Sequence, residues 1–402
     1  EGTQPVGIFR PGHLVVTAPM RIEPFGVHVW NDAPIRAAAV PHVRTEIKNY
    51  GATSRTVTVT TRFIDHQGAA VAVSQTDCTL SPGQSTIVPQ ELPPVVSPHL
   101  WSLDDPYLYT VATTLAEASA TVDEVDTPFG FRWIEWPKPG GDAHQPFRLN
   151  GKPVFINGVA DYEHLLGTSH AFTAEQIAAR VHQVEAAGFN AFRDAHHPHD
   201  LRFQEFWDRD GLLWWPQFGA HIWFDNDAFR ANFKALLRDW VKERRNSPSL
   251  VLWGLQNESV LPADFARECC DIIRELDPTA SVQRPIATCN GGTGTDWDVP
   301  QNWSGTYGGD PAAYADDLRR EHLVGEYGAW RSLGLHTEGG FDAKGPLSED
   351  RMCSLLETKI RLAESVRDEV CGQFMWPLTT HENPGRTAGD QGEQTRDGFR
   401  EL

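Results

Sequence analysis

Two glutamates in the second half of the chain each end a short apolar run. Glu258 follows Leu-Trp-Gly-Leu-Gln-Asn257, and Glu326 follows His-Leu-Val-Gly. The strands of a parallel barrel deliver the residues at their carboxyl ends to the face where active sites form, so we expect both glutamates there. Two carboxylates at one site can serve as acid/base and as nucleophile on a glycosidic bond. The pair therefore predicts glycoside hydrolysis with retention of the anomeric configuration.

The elements that must carry these glutamates alternate between short apolar strands and amphipathic helices. The predicted strands are 153–158, 189–195, 212–218, 250–255, 284–288, a segment near 303, 323–324 and 372–376. The predicted helices are 173–187, 227–245, 263–276, 311–321 and 348–366. Eight strands favour a (β/α)8 barrel over an open doubly wound sheet. Glu258 ends the fourth strand and Glu326 the seventh, which places them on nearly opposite sides of one barrel mouth.

The first half of the chain has the period of two that is typical of β-strands. Segments such as Val43–Ile47 and Thr56–Thr60 alternate and are separated by turn-forming residues. This pattern predicts an immunoglobulin-like β-sandwich. We therefore expect three parts: residues 1–30 as the remnant of an N-terminal jelly-roll domain, 31–135 as the sandwich, and 146–402 as the catalytic barrel.

The composition narrows the class of partner. The chain has 402 residues, with 54 acidic and 35 basic side chains and a formal net charge of −19. This charge repels nucleic acid and anionic membrane surfaces, and no apolar run reaches the roughly 18 residues of a membrane-spanning helix. We predict neither nucleic acid nor membrane as partner. Whether the chain forms a homo-oligomer stays open.

Several motifs together give the chain a resemblance to a known family. They are Ile8-Phe-Arg-Pro, Trp101-Ser-Leu-Asp-Asp-Pro-Tyr-Leu-Tyr-Thr-Val, Phe129-Gly-Phe-Arg132, Leu149-Asn-Gly-Lys-Pro-Val154, Phe189-Asn-Ala-Phe-Arg193-Asp-Ala-His196-His-Pro198, Asn257-Glu258 and Gly325-Glu326-Tyr-Gly. With these motifs the chain resembles glycoside hydrolase family 2, the family of β-galactosidases, β-glucuronidases and β-mannosidases. Two other segments, Asp161-Tyr-Glu-His164 and Asn290-Gly-Gly-Thr-Gly-Thr-Asp-Trp297, are similar to those of a branch of the family whose longer members carry a malectin-like domain.

The resemblance implies a role for each matching residue. By it, Glu258 is the acid/base, Glu326 is the nucleophile, and Asn257 holds the 2-hydroxyl of the sugar. Arg193 falls where the family has a buried arginine that supports the nucleophile, and His196 falls where a histidine lines the sugar pocket. The alternative reading of the last two is a structural salt bridge and a turn histidine.

Four further positions complete the predicted substrate site. By the same resemblance, Trp376 stacks against the sugar, with core packing as the alternative. Tyr307 is expected to contact Glu326. Asp161 and His164 lie in the loop after the first barrel strand, where His164 fits the galactosidase pattern and Tyr162 departs from it.

The resemblance also bears on cofactors and on the sugar. The loop that supplies magnesium ligands in family β-galactosidases reads Pro216-Gln-Phe-Gly-Ala-His-Ile-Trp-Phe here and has no acidic residue before Asp225. Magnesium needs oxygen ligands, so we predict neither metal nor other cofactor. The glucuronidase Asn-x-Lys signature is missing after the eighth strand. We therefore expect a retaining exo-β-glycosidase that removes terminal sugars, β-galactosides first, from an oligosaccharide or polysaccharide fragment.

Other readings stay open. β-Glucuronidase or β-mannosidase activity is the nearest alternative, and the sequence does not decide the sugar, its linkage or exo against endo action. From other classes, the chain could be a non-catalytic carbohydrate-binding protein, or a metal hydrolase that uses the histidines at 196, 197 and 199. The compartment is undetermined, with secretion or periplasmic residence favoured by the branch resemblance.

Overall fold

A computed structural model gives the structure of the protein. It describes residues 8, 10–138, 145–163, 171–219, 225–259, 261–306, 308–328, 332–333, 349–379 and 395–396. These residues form a β-sandwich followed by a barrel of parallel strands.

The sandwich contains seven principal strands in two antiparallel sheets. The strands are β1 (Met20–Asn31), β2 (Pro41–Asn49), β3 (Arg55–Ile64), β4 (Ala70–Leu80), β5 (Ser85–Glu91), β6 (Tyr109–Glu117) and β7 (Ala120–Phe129). One sheet has the order β1-β2-β5 and the other the order β4-β3-β6-β7. A two-residue pair, Ala38–Ala39 with Val95–Val96, lies beside them.

Alternation of side chains explains why these segments form a sandwich. Along β2 every second residue is buried and the residues between are half-buried, as expected for a strand with one face on a core. The core between the sheets contains Val43, Val59, Phe63 and Phe131. The predicted immunoglobulin-like sandwich is confirmed.

Among the described residues, the barrel has eight parallel strands. They are β8 (Ile156–Tyr162), β9 (Ala191–Ala195), β10 (Leu213–Trp215), β11 (Trp253–Asn257), β12 (Ile286–Cys289), β13 (Trp297–Val299 with Gln301–Asn302), β14 (Leu323–Tyr327) and β15 (Gly372–Met375). Pairing of β8 with β15 closes the ring, and single bridges at Trp214–Leu250 and Gln217–Gly254 join β10 to β11. The predicted (β/α)8 barrel is confirmed.

Helices cover the outside of this ring. They are α1 (Ala174–Ala186), α2 (Leu201–Asp210), α3 (Asp227–Arg244), α4 (Ala263–Leu276), α5 (Tyr314–Glu321, preceded by the 3-10 turn Pro311–Ala313) and α6 (Glu349–Ser365). Helix α2 is missing from the sequence prediction. Its N-cap Asp200 follows a loop of three histidines and a proline, which conceals the start of the helix. Residues 290–296 connect β12 to β13 without a helix.

The first predicted boundary needs correction. Residue 30 falls inside β1, and residues of β1 from Met20 to Asn31 pair with β2. The sandwich therefore begins near residue 20, because separating β1 would leave the edge of β2 without hydrogen-bond partners. That residues before this strand derive from a jelly-roll domain stays a prediction.

The two domains meet through buried polar contacts. Arg132, 6% exposed, donates from Nε to Pro248 O at 2.8 Å and from Nη2 to Leu250 O at 2.9 Å. Trp101 donates from Nε1 to Asp208 O at 2.7 Å. A small sheet of Ile134–Glu135, Arg148–Leu149 and Lys152–Pro153 lies at the passage between the domains.

Two remaining observations complete the fold. A further short pair joins Ser332–Leu333 to Thr395–Arg396. Within the described part of the chain, each helix is too short or too polar to cross a membrane.

Candidate active site

Arg193 is the centre of a buried polar cluster at the carboxyl ends of the barrel strands. It lies on β9, is fully buried, and donates from Nη1 to Glu326 Oε1 at 2.7 Å and to Gly325 O at 2.8 Å. Its Nη2 donates to Asn257 Oδ1 at 2.6 Å. The planar guanidinium thus connects β11 to β14 across the barrel mouth, as its fixed fork of donors permits.

A register shift turns Glu326 toward this cluster. The pairing of β14 with β15 shifts between Val324 and Tyr327. Gly325 faces the interior, since a Cβ there would lie 2.6 Å from Cys289 Sγ, while Tyr327 packs outside in the helix-facing core. Such an irregularity breaks the strict alternation and lets Gly325 and Glu326 both serve the interior.

Asn257 depends on a similar shift in β11. The pairing of β11 with β12 shifts between Gly254 and Gln256, and Asn257 then pairs with Cys289. The Asn257 side chain is fully buried, and its Nδ2 has no hydrogen-bond partner among the described residues. A buried donor without a partner is costly, so this nitrogen is suited to a ligand hydroxyl.

Glu258 is the next residue after β11. It is half-buried, has a left-handed φ of 44°, and donates its backbone N–H to Cys289 O at 3.0 Å. A left-handed glutamate is uncommon, and in this chain it ends the strand directly beside Asn257. The strained backbone turns the chain at the barrel mouth.

The charges of both glutamates affect the pKa of the buried Cys289 thiol. Burial raises the pKa of its thiol far above the usual value, Arg193 opposes this effect, and the negative charges of Glu326 and Glu258 increase the pKa further. The two carboxylates therefore act on one buried atom from β14 and β11. Both glutamates therefore lie near Cys289, at the same end of the barrel that the strand order indicates.

His196 and Trp376 form an aromatic wall beside Glu326. Their rings stack with centroids 4.7 Å apart and an interplanar angle of 14°. Tyr162 contacts both rings edge-on, at 5.1 Å from Trp376 and 5.5 Å from His196. His196 Nε2 lies 3.7 Å from Glu326 Oε1. Flat aromatic faces next to a carboxylate are suited to the apolar side of a sugar ring.

Asp161 points away from this wall, contrary to its predicted role. It pairs with Asp194 of β9, whereas the neighbouring residue Ala160 pairs with the inward-facing Arg193. Its side chain is fully buried and accepts hydrogen bonds from Arg180 of α1 and from Thr379 Oγ1. Because successive strand residues face opposite sides, Asp161 faces the helices and ties α1 to the barrel.

Two other predicted site residues, His164 and Tyr307, lie outside the described residues. Sequence reasoning in turn missed two residues of the cluster. Trp215 lies under the Arg193 guanidinium at 4.6 Å, and Gln217 Oε1 lies 3.0 Å from His196 Nδ1. Both face inward from the end of β10. The strand period of two could have identified both residues, because positions 213, 215 and 217 face the barrel interior.

The described residues contain no group of three or more His, Cys, Asp or Glu arranged to hold a metal ion. The prediction that catalysis uses no metal stays a prediction.

Family models match both domains. The model for glycosyl hydrolases family 2 matches residues 27–132, and the model for the TIM barrel domain of the same family matches residues 143–296. The chain belongs to glycosyl hydrolases family 2. The predicted family resemblance is confirmed.

Curated relatives of this family 2 chain carry two kinds of name. A protein named β-glucuronidase from Bacteroides fragilis is 24% identical over 96% of this chain and 58% of its own length. A putative β-glucuronidase from Formosa agariphila is 27% identical over 74% of this chain and 38% of its own. β-Galactosidase BoGH2A from Bacteroides ovatus is 28% identical over 63% of this chain and 30% of its own. The family 2 chain spans about half, or less, of these relatives' length.

Solved structures share the fold. A putative β-galactosidase from Bacteroides fragilis superposes with a TM-score of 0.82 at 22% identity, covering 96% of this chain and 59% of its own. The Bacteroides uniformis β-glucuronidase gives 0.79 at 22% identity, covering 91% and 48%. At this identity the likeness concerns the fold of the family 2 chain alone.

Proposed function

We propose that this family 2 chain belongs to a retaining exo-β-glycosidase that removes a terminal sugar from an oligosaccharide. The observation that carries the proposal is the Arg193 bridge. One guanidinium binds both the Glu326 carboxylate and the Asn257 amide, and Glu258 follows Asn257 directly. Such an arrangement supplies two carboxylates, a hydroxyl-binding amide and a fixed positive charge.

In this mechanism Glu326 attacks the anomeric carbon. The hydrogen bond from Arg193 to Oε1 places a positive charge beside the carboxylate, which favours the ionised form that the attack needs. Glu258 protonates the leaving oxygen and afterwards takes a proton from the water that hydrolyses the glycosyl-enzyme ester. Each step conserves charge, because the proton given to the leaving group is recovered from water.

Asn257 contributes mainly in the transition state. Its Oδ1 is occupied by Arg193, so Nδ2 is directed by that bond and remains free of partners among the described residues. A donor to the 2-hydroxyl of the sugar gains strength as positive charge develops at the adjacent anomeric carbon. Trp376 and Tyr162 would bound the apolar side of the ring.

The proposed sugar is β-galactose. β-Glucuronic acid is the second candidate, since relatives from Formosa agariphila and Bacteroides fragilis are named β-glucuronidases. The two sugars differ at carbon 6, where a glucuronide carries a carboxylate and needs a positively charged or hydrogen-donating partner.

A panel of nitrophenyl β-glycosides tests the proposal. We expect turnover of the β-galactoside or the β-glucuronide, with the β-anomer appearing first in proton NMR. Glu326→Gln should reduce turnover by at least about a thousandfold with an unchanged circular dichroism spectrum, because the nucleophile is lost. Glu91→Gln, at an exposed position on β5 of the sandwich, makes the same chemical change away from the site and serves as the control.

Initial release of the α-anomer would refute the double displacement. Full activity of Glu326→Gln would show that the nucleophile lies elsewhere. Binding of the sugars without turnover by the wild-type chain would favour the non-catalytic alternative.

A further inference from the structure

Gln217 is a buried amide whose function the proposed mechanism does not use. It is fully buried two residues after the end of β10, and its Oε1 lies 3.0 Å from His196 Nδ1. Its Nε2 has no hydrogen-bond partner among the described residues. A buried N–H donor without a partner lowers the stability of the fold, so we expect this amide to perform a function.

The facing strand is shaped around this side chain. A Cβ at Gly254 of β11 would lie 3.0 Å from Gln217 Cγ and 2.4 Å from Pro216 O. Glycine at 254 therefore leaves the space that Gln217 occupies. The position of Gln217 is set by packing across β10 and β11.

The two ring nitrogens of His196 face different groups. Nδ1 faces Gln217, and Nε2 lies 3.7 Å from Glu326 Oε1, beyond hydrogen-bond distance. The charged and titratable groups near the ring include Glu326 from β14, Arg193 from β9 and Tyr162 from β8. Arg193 already neutralises the nearer oxygen of Glu326.

We propose that Gln217 is a positioning residue that holds His196 as the neutral tautomer with its proton on Nδ1. This inference rests on the proposed function, because it assigns His196 a task at the same site. The amide oxygen accepts a hydrogen bond from Nδ1–H, so the lone pair of the imidazole is on Nε2, the ring nitrogen on the side of Glu326. In this tautomer Nε2 can accept a hydrogen bond and cannot donate one.

The neutral amide matters as much as its geometry. A carboxylate in the same place would stabilise the charged imidazolium, as an opposite charge within about 4–6 Å does. Charged His196 would donate from Nε2 toward Glu326 and compete with attack by that carboxylate. Gln217 therefore protects the nucleophile by supplying an acceptor without a charge.

Histidine NMR of the full chain tests this directly. Protein labelled with ¹⁵N-histidine is titrated without substrate, and the His196 signals are identified by their loss in His196→Asn. In the wild type we expect one tautomer, with the proton on Nδ1. Gln217→Met should mix the two tautomers, and Gln217→Glu should raise the pH of His196 protonation by about one unit or more. Gln67→Glu, in an exposed turn of the sandwich, is the matched control for the added charge.

Kinetics provide a second readout. Gln217→Glu should regain activity as pH rises, because the imidazolium loses its proton, whereas Gln217→Met should be impaired about tenfold at every pH. A wild-type proton on Nε2, or a His196 titration unchanged in Gln217→Glu, would overturn the proposal. If Gln217→Met fails to fold, the position of the His196 proton in the wild-type NMR spectrum still tests the proposal. Because the NMR needs no substrate, an inactive wild type would refute the proposed function and leave this measurement intact.

Discussion

Two adjacent charged residues of β9, Arg193 and Asp194, face opposite sides of the strand and have different roles. Arg193 faces the interior and serves the glutamate cluster, while Asp194 faces the helices and accepts a hydrogen bond from Trp214 Nε1 at 2.8 Å. Burial raises the pKa of Asp194 to about 7, against the opposing effects of the Trp214 N–H and the Arg244 charge. On its inner face the strand therefore carries the Arg193 guanidinium, which pairs with Glu326. On its outer face it carries the Asp194 carboxyl, whose pKa is close to neutral pH.

The raised pKa of Asp194 predicts a pH-dependent stability. In the unfolded chain this carboxyl has a pKa near 4, so the native state binds more protons between pH ~4 and ~7. Its contribution to stability is full below pH ~4 and is lost as pH rises through about 7. In Asp194→Asn, the fall in unfolding free energy between pH 5 and pH 8 should shrink by about 2–3 kcal/mol.

Urea unfolding at both pH values measures this difference. Glu163, whose pKa burial also raises to about 7, titrates in both proteins, and its charge is one cause of the raised pKa of Asp194. Asp77→Asn, at an exposed position on β4, should leave the fall unchanged. An equal fall in Asp194→Asn and wild type would show that Asp194 is ionised at no cost in the native state.

At the scale of the element, β14 is built around a glycine. A Cβ at Gly325 would lie 2.6 Å from Cys289 Sγ and 3.2 Å from both Trp215 and Val299. The Gly325 carbonyl accepts from Arg193, and its N–H donates to Pro300 O at 2.8 Å. The strand can bring Glu326 to Arg193 only because residue 325 has no side chain.

Gly325→Ala should therefore displace Glu326 while the barrel still folds. A shift of about 1 Å at a reacting group reduces turnover by up to about a hundredfold. Cys289→Ala removes the closest obstructing atom, so the double variant should recover part of the lost activity. Turnover of the best panel substrate, with circular dichroism for folding, measures both effects.

Cys289→Ala alone is the control, and we expect it to retain most of its activity. Wild-type turnover in Gly325→Ala would contradict the requirement for glycine in β14.

At the scale of the whole molecule, the motif Phe129-Gly-Phe-Arg132 joins the two domains. A Cβ at Gly130 would lie 2.7 Å from Trp101 Cβ and 3.0 Å from Pro248 Cβ, so glycine permits close contact. Arg132 then satisfies two barrel carbonyls. The segment that ends the sandwich is thus part of the support of the barrel.

Arg132→Ala should weaken this junction strongly. It leaves two buried carbonyls without donors, at a cost of about 2–4 kcal/mol in unfolding free energy. Arg55→Ala is the matched control, since Arg55 pairs with Glu117 on the surface of the sandwich and should cost less than about 1 kcal/mol. Chemical denaturation of both variants provides the comparison, and equal losses would contradict a special role for Arg132.

The sequence alone determined the order of domains and strands. Alternation of period two identified the sandwich, and repeated strands and helices identified the barrel, because burial of one face imposes a period on each element. The same pattern placed Glu258 and Glu326 at the ends of the fourth and seventh strands. These are consequences of local periodicity, which the sequence contains.

Only the tertiary structure decided which way individual side chains face and what they contact. The shifts in β11 and β14 leave no mark on the alternation, yet they aim Asn257 and Glu326 at Arg193. Asp161 faces the helices because of its register with Asp194. Register and bulges arise from packing between strands that are distant in sequence, so no local pattern determines them.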